Sequence, residues 1–132
     1  MAERSFSEAE IAYMGSQRLG RVATVGKDRT PHVVPVSFRA NSELGTIDIG
    51  GHGMGQSKKY ADVRREGRAA FVVDDVLPPW RPRGIEVRGR AEVLADGGQD
   101  FGPGFAPEMI RIWPERIRAW GIESDAIPDR SG

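Results

Sequence analysis

"TIDIGGHGMGQSKKYADV", Thr46 to Val63, is the stretch on which the fold turns. An alternating run, Thr46-Ile47-Asp48-Ile49, stops at a cluster of glycines, and a lysine-bearing helical pattern begins at once. Gly50, four further residues and then Gly55-Gln56-Ser57 come close to the phosphate loop of nucleotide hydrolases, GxxxxGK[ST], with glutamine where its lysine should stand. A true phosphate loop requires strands and helices that alternate along the chain and build a parallel sheet. The rest of the sequence therefore tests the match.

Upstream, "FSEAEIAYMGSQRLG" places Ser7 three residues before Glu10, a capping-box pattern, and sets Ile11, Met14 and Leu19 near one helical face before a glycine. "RVATVG" (Arg21–Gly26) and "PHVVPVSFRA" (from Pro31 through Arg39) flank the polar break "KDRT" and read as a hairpin. Pro35 within the second run implies an edge or a bulge, because proline donates no ladder hydrogen bond. Downstream of the third strand, "QSKKYADVRRE" turns Tyr60 and Val63 inward and ends at Gly67. "RAAFVVDDV" is a nearly continuous apolar strand. "GIEVRGRAEVL" alternates Ile85, Val87, Gly89, Ala91 and Val93 with charged residues, which implies a half-exposed strand. A glycine-rich loop leads to "MIRIWPERIRAWGI", a last strand with a short tail. Strand follows strand, so the fold class is mainly β: a small six-stranded antiparallel barrel with short flanking helices over its openings. The phosphate-loop match is then misleading.

Composition narrows the function classes. In 132 residues, 19 basic side chains balance 19 acidic ones, which is unlike the basic footprint of a general nucleic-acid binder and makes any anion site local. The length implies one domain. With no cysteine there is neither a disulfide frame nor a thiolate metal site, and a reducing cytoplasm is the expected compartment. No apolar run reaches membrane-spanning length, so no membrane partner is expected. His32 and His52 are the only histidines and lack metal-ligand spacing; each reads as a surface or pocket hydrogen-bonder, and no metal is expected. No GxSxG elbow or Ser/His/Asp grouping suggests a side-chain nucleophile.

Lys58 and Lys59 remain. Cations in the first turn of a helix oppose its macrodipole by roughly 0.3–1 kcal/mol, unless an anion sits between them and the free backbone N–H groups. Ser57 beside them is either a third donor or a cap. Glycines 50, 51, 53 and 55 are out of register for GxGxxG; they read as a flexible turn or as a close approach of backbone to a flat or phosphorylated ligand. "VLPPWRPRG" presents Trp80 on a proline-stiffened loop with Arg81 and Arg83, either as an interface anchor or as a stacking residue for a planar anionic ligand.

Together "LGRVATVG…PHVVPVSF", "TIDIGGHG…SKKYADVRREGRAAFVVDDV", "PPWRPRGIEVRGRAE" and "IRIWPERIRAWGI" resemble the pyridoxamine 5′-phosphate oxidase-like flavin and deazaflavin oxidoreductases, specifically the small coenzyme F-420-dependent group, from about Phe6 to Ile122. The resemblance implies a split β-barrel that forms a homodimer with cofactor sites at the interface. It implies that the ring lies along Val34 to Phe38, against Pro35, Val36 and Ser37, with Gly51, His52 and Met54 nearby. The phosphate would meet Ser57, Lys58 and Lys59, while Trp80, Arg81 and Arg83 would close the pocket. The implied activity is hydride transfer from reduced coenzyme F-420 to an activated C=C or C=N bond of a small molecule. FMN in the same site is the alternative cofactor, and non-catalytic binding of cofactor or haem is the alternative role. Cofactor chemistry of this kind needs no catalytic triad.

Overall fold

The computed structural model describes residues 5–122. Its elements run α1 (Glu8–Gly15), β1 (Gly20–Val25), β2 (Pro31–Asn41), β3 (Thr46–Gly50), α2 (Lys58–Glu66), β4 (Arg68–Leu77), β5 (Arg81–Leu94) and β6 (Met109–Trp120), with 3-10 turns at Met54–Gln56 and Gly98–Phe101. The strands close into an antiparallel barrel in the order β1-β2-β3-β6-β5-β4. That is the six-stranded split barrel with short helices expected from the sequence.

Alternation explains the core. Along β5, Ile85, Val87, Gly89 and Ala91 are buried while Arg88 and Arg90 face out. The same parity puts Val22, Ile47, Ile49, Phe71, Val73 and Ile112 inside. Each such side chain contributes about 1.5–3 kcal/mol on burial. β4 departs from its apolar reading: only every second residue, Ala69, Phe71 and Val73, is buried, because one face of the barrel wall meets solvent.

β2 is divided between two neighbours. Pro31–Val36 pairs with β1 alone, and Ser37–Asn41 pairs with β3 alone. Each half thus has one free side, and both prolines stand in the half that β3 does not reach, so Pro35 marks an edge. This is the split of the barrel.

The helices differ from expectation in detail. Ser7 and Glu10 do form a capping box, but α1 ends at Gly15, and Leu19 lies beyond it with 49% of its surface exposed. α2 starts at Lys58 rather than Gln56, which belongs to the preceding 3-10 turn. It ends at Gly67 in the left-handed conformation (φ 73°), as a C-terminal glycine allows. The proline-stiffened "loop" around Trp80 is shorter than read: β4 and β5 extend to Leu77 and Arg81, leaving a turn with a cis Pro78–Pro79 bond. Arg81 and Arg83 are thus strand residues.

Candidate functional site

β3 ends at Gly50, and α2 then packs against β1 and β5, with its first turn beside the half of β2 that pairs with β1. A groove of about 450 Å³ opens between them, lined by Val22, Thr24, Pro31, His32, Val33, Val34, Lys58 and Lys59. Lys58 and Lys59 occupy the first turn of α2, which has no acidic residue. Neither lysine has a hydrogen-bond or ion-pair partner among the described residues. Lys58 is exposed; Lys59 is half-buried, and burial pushes its ammonium below the usual lysine range. An uncompensated, partly desolvated cation beside free N–H groups suits a phosphate or another anion.

Ser57 takes the simpler of its two readings. Its Oγ accepts from Tyr60 N at 3.3 Å as the helix cap and donates to the Met54 carbonyl at 2.7 Å. Met54 and Val36 are core residues, while Pro35 and Ser37 continue along β2 from the groove. Gly51 and His52 lie in the turn after β3. His52 Nδ1 meets the Gly104 carbonyl at 2.8 Å, and its ring packs on Phe105 with centroids 4.6 Å apart. The turn glycines serve packing: a side chain at Gly50 would strike the Phe101 ring at 2.7 Å, and one at Gly55 the Glu108 carboxylate at 2.8 Å. Gly53 meets nothing.

Within one chain, the arginine–tryptophan group does not reach this groove. Trp80 projects from the β4–β5 turn, 74% exposed. Arg83 forms a bidentate pair with Asp75, at 2.8 and 3.0 Å, and its guanidinium lies 4.8 Å from the Tyr13 ring centroid. Arg81 lines a separate depression between α1 and the start of β5.

Beneath the groove sits a buried polar group that the sequence did not reveal. Asp62, 4% exposed, accepts from Thr24 Oγ1 at 2.7 Å and Arg65 NH2 at 3.0 Å, and meets His32 Nδ1 at 2.8 Å. Burial pushes its carboxyl up, but these three hydrogen bonds outweigh it and hold the group below the ordinary range. The available signals were indirect: Thr24 has the inward parity of β1, and Asp62 follows the lysines by three and four positions, on the same helical face. A second buried carboxylate, Asp48, bonds Arg111, Asn41 and Thr46 on the far side of β3 and serves structure. Among the described residues no grouping of three or more His, Asp or Glu could hold a metal, and no helix is long and apolar enough to cross a membrane.

The fold is thus a split barrel with a groove, lined by two lysines, along the part of β2 that β3 does not reach. The sequence model of the pyridoxamine 5′-phosphate oxidase family matches residues 7–131, and the chain belongs to that family. It is 48% identical over 122 residues to the 5a,11a-dehydrotetracycline/5a,11a-dehydrooxytetracycline reductase of Streptomyces rimosus, a match that spans 91% of this chain and 86% of the relative. Solved structures with the same fold include a conserved hypothetical protein of Mycobacterium tuberculosis (TM-score 0.71, 23% identity, covering 100% of this chain and 95% of that one). A FAD-binding protein of Mesorhizobium loti also matches (TM-score 0.61, 25% identity, covering 89% and 96%). These relationships support an oxidoreductase with a flavin-type cofactor.

Proposed function

We propose that the protein is a cytoplasmic reductase that holds reduced coenzyme F-420 in the groove between β2 and α2. In this reading it delivers a hydride from the cofactor to an activated C=C or C=N bond of a small organic molecule. The observation that carries the reading is the unpartnered pair Lys58 and Lys59 at the N-terminus of α2, with Lys59 half-buried in the groove. Their donors fit the phosphate of such a cofactor, and the ring would run along β2 from Val34 toward Ser37. When bound, the cofactor supplies the hydride. The chain anchors the phosphate, aligns the ring and keeps water from the reacting face.

The Streptomyces rimosus relative bears a name that specifies reduction of a 5a,11a-dehydro compound, so the substrate class taken here is a conjugated C=C bond in a polycyclic molecule. A homodimer completes the reading. Val33, at the groove, is 67% exposed, and Val76 and Trp80 are exposed at the end of β4 and in the turn after it. A second copy that covered these residues could bring its own Trp80 and Arg81 to the groove, which one chain does not. FMN is the rival cofactor, since it offers the same ring-and-phosphate pattern.

The test mixes purified protein with reduced coenzyme F-420 and 5a,11a-dehydrotetracycline and follows reoxidation of the cofactor by absorbance. Protein-dependent oxidation coupled to loss of the dehydro compound is expected. Tighter binding of FMN than of coenzyme F-420 would replace the cofactor; failure to bind either would overturn the reading.

A further inference from the structure

Asp62 has no part in the reading above, yet through it α2 is tied to the barrel wall. Its Oδ2 accepts from Thr24 Oγ1 of β1 at 2.7 Å and meets His32 Nδ1 of β2 at 2.8 Å. Its Oδ1 accepts from Arg65 NH2 on the same helix at 3.0 Å, and that NH2 also donates to the Val25 carbonyl, at the end of β1, at 2.7 Å. Two strands and the helix thus meet at one buried carboxylate. The His32 ring is in turn seated against the β1–β2 turn, where a side chain at Gly26 would lie 2.6 Å from its Cε1. Tyr60 and Val63 hold α2 in a different way. They enter the core, and apolar burial is non-directional, so it selects the inward face of the helix but tolerates slippage and small rotations. Hydrogen bonds do not, because they weaken steeply as length and angle depart from the ideal.

We infer that Asp62, bonded to Thr24, is a positioning residue for the groove: it fixes the rotation and height of α2 on β1 so that Lys59 meets an anion bound there. The inference rests on the proposed cofactor site and adds to it the part of the chain that holds the lysine in place. Lys59 and Asp62 are three residues apart and so share one side of α2. Thr24, the partner of Asp62, lines the groove together with Lys59. The side of the helix that is clamped to β1 is therefore the side that carries the cation. Successive helical residues stand about 100° apart around the axis, so a helix freed to turn by a fraction of that angle would swing Lys59 off the groove. A misplacement of about 1 Å at a positioned group can cost up to about 100-fold, which makes the clamp worth more to binding than one buried hydrogen bond would be by itself.

The experiment is a double-mutant cycle read as affinity for FMN and for coenzyme F-420 by fluorescence titration. Thr24→Val keeps the shape of the side chain and removes its hydroxyl, Thr24→Ser keeps the hydroxyl, and Asp62→Asn keeps the shape of the carboxylate and removes its charge. Each is made in the parent and in Lys59→Ala, and all are titrated well below their melting, which circular dichroism records. In the parent, Thr24→Val and Asp62→Asn should weaken cofactor binding about fivefold or more, while Thr24→Ser should stay within about twofold of the parent. In the Lys59→Ala background the same substitutions should change affinity by less than about twofold, because the group they position is gone. A clamp that only stabilises the fold would lower melting and leave affinity alone, and a direct contact of Thr24 with the ligand would cost the same in both backgrounds. Either result overturns the inference and leaves the cofactor site intact. If Asp62→Asn does not fold, the two Thr24 variants decide. Unchanged affinity in Lys59→Ala itself, or no binding of either cofactor by the parent, removes the site and this inference with it.

Discussion

The two lysines of the groove should not be equal, and their ranking offers a sharp test of the site. Lys58 is exposed, so its attraction to a phosphate is screened and worth roughly 0.2–1 kcal/mol, about 1.5- to 5-fold in affinity. Lys59 is half-buried and already destabilised as a cation by that burial. Its hydrogen bond to an anion is charge-assisted and poorly screened, worth about 1.5–3 kcal/mol, or about 10- to 150-fold. Lys59→Ala should therefore cost far more cofactor affinity than Lys58→Ala. Neither should cost stability, because removing a cation from the first turn of α2 relieves about 0.3–1 kcal/mol of unfavourable interaction with the helix dipole. Since burial lowers the Lys59 ammonium, parent affinity should also start to fall at a less alkaline pH than an ordinary lysine would give. Fluorescence titrations with coenzyme F-420 and FMN, paired with thermal melts, decide the matter. Equal losses from the two substitutions, or none from Lys59→Ala, would refute a phosphate held by Lys59.

Four further outcomes are expected. Asp48→Ala strands the partly buried Arg111 guanidinium and should cost about 3–5 kcal/mol in urea unfolding; a loss under about 1 kcal/mol would show that the site repacks. Burial pushes the Asp48 carboxyl up, but its bonds to Arg111, Asn41 and Thr46 win and lower it, so its stabilisation is full above about pH 4 and drains away as pH falls through the lower folded value. On the proposed homodimer, Trp80→Ala should leave the melting of the isolated chain within about 0.5 kcal/mol while weakening self-association by about 2 kcal/mol, read by sedimentation equilibrium. Ser57→Ala removes the α2 cap and should lower stability by about 0.5–2 kcal/mol by thermal melting.

What the sequence disclosed was what local chemistry controls. The Ser7–Glu10 box, the Gly67 stop and the alternation of β5 each satisfy a rule that acts within a few residues, and each appears as read. Leu19 fitted the helical period but falls outside α1, because the helix yields to a turn before β1 and the leucine has no core to enter. The lysines were legible for an electrostatic reason, their misfit with the helix dipole. Thr24, His32 and Asp62 were not, since the contacts that unite them span 30 and 38 residues and arise only when α2 lies across β1 and β2. The partner of Arg83 was hidden for the same reason. Asp75 stands opposite it in the β4–β5 register, and Arg83 Nε and NH2 both donate to that carboxylate.

The near-match to a phosphate loop also has a physical basis. Any chain that ends a strand and starts a helix within a few residues needs small residues at the turn and points the free N–H groups of the helix at whatever lies beside the strand end. Here the neighbour is the half of β2 that β3 never reaches. β3 stops pairing at the Ser37–Gly50 couple, and Gly50 lets the Phe101 ring sit against the backbone as the chain leaves the sheet. Pro31 and Pro35 lack the N–H groups that a further strand would require, which keeps that side of β2 from being filled by pairing. The same two features that open the barrel also direct the N-terminus of α2 onto the opening. Strand end, proline edge and lysine-bearing helix start are therefore coupled parts of one groove, and a substitution that extended β3 along β2 would close the groove without touching either lysine.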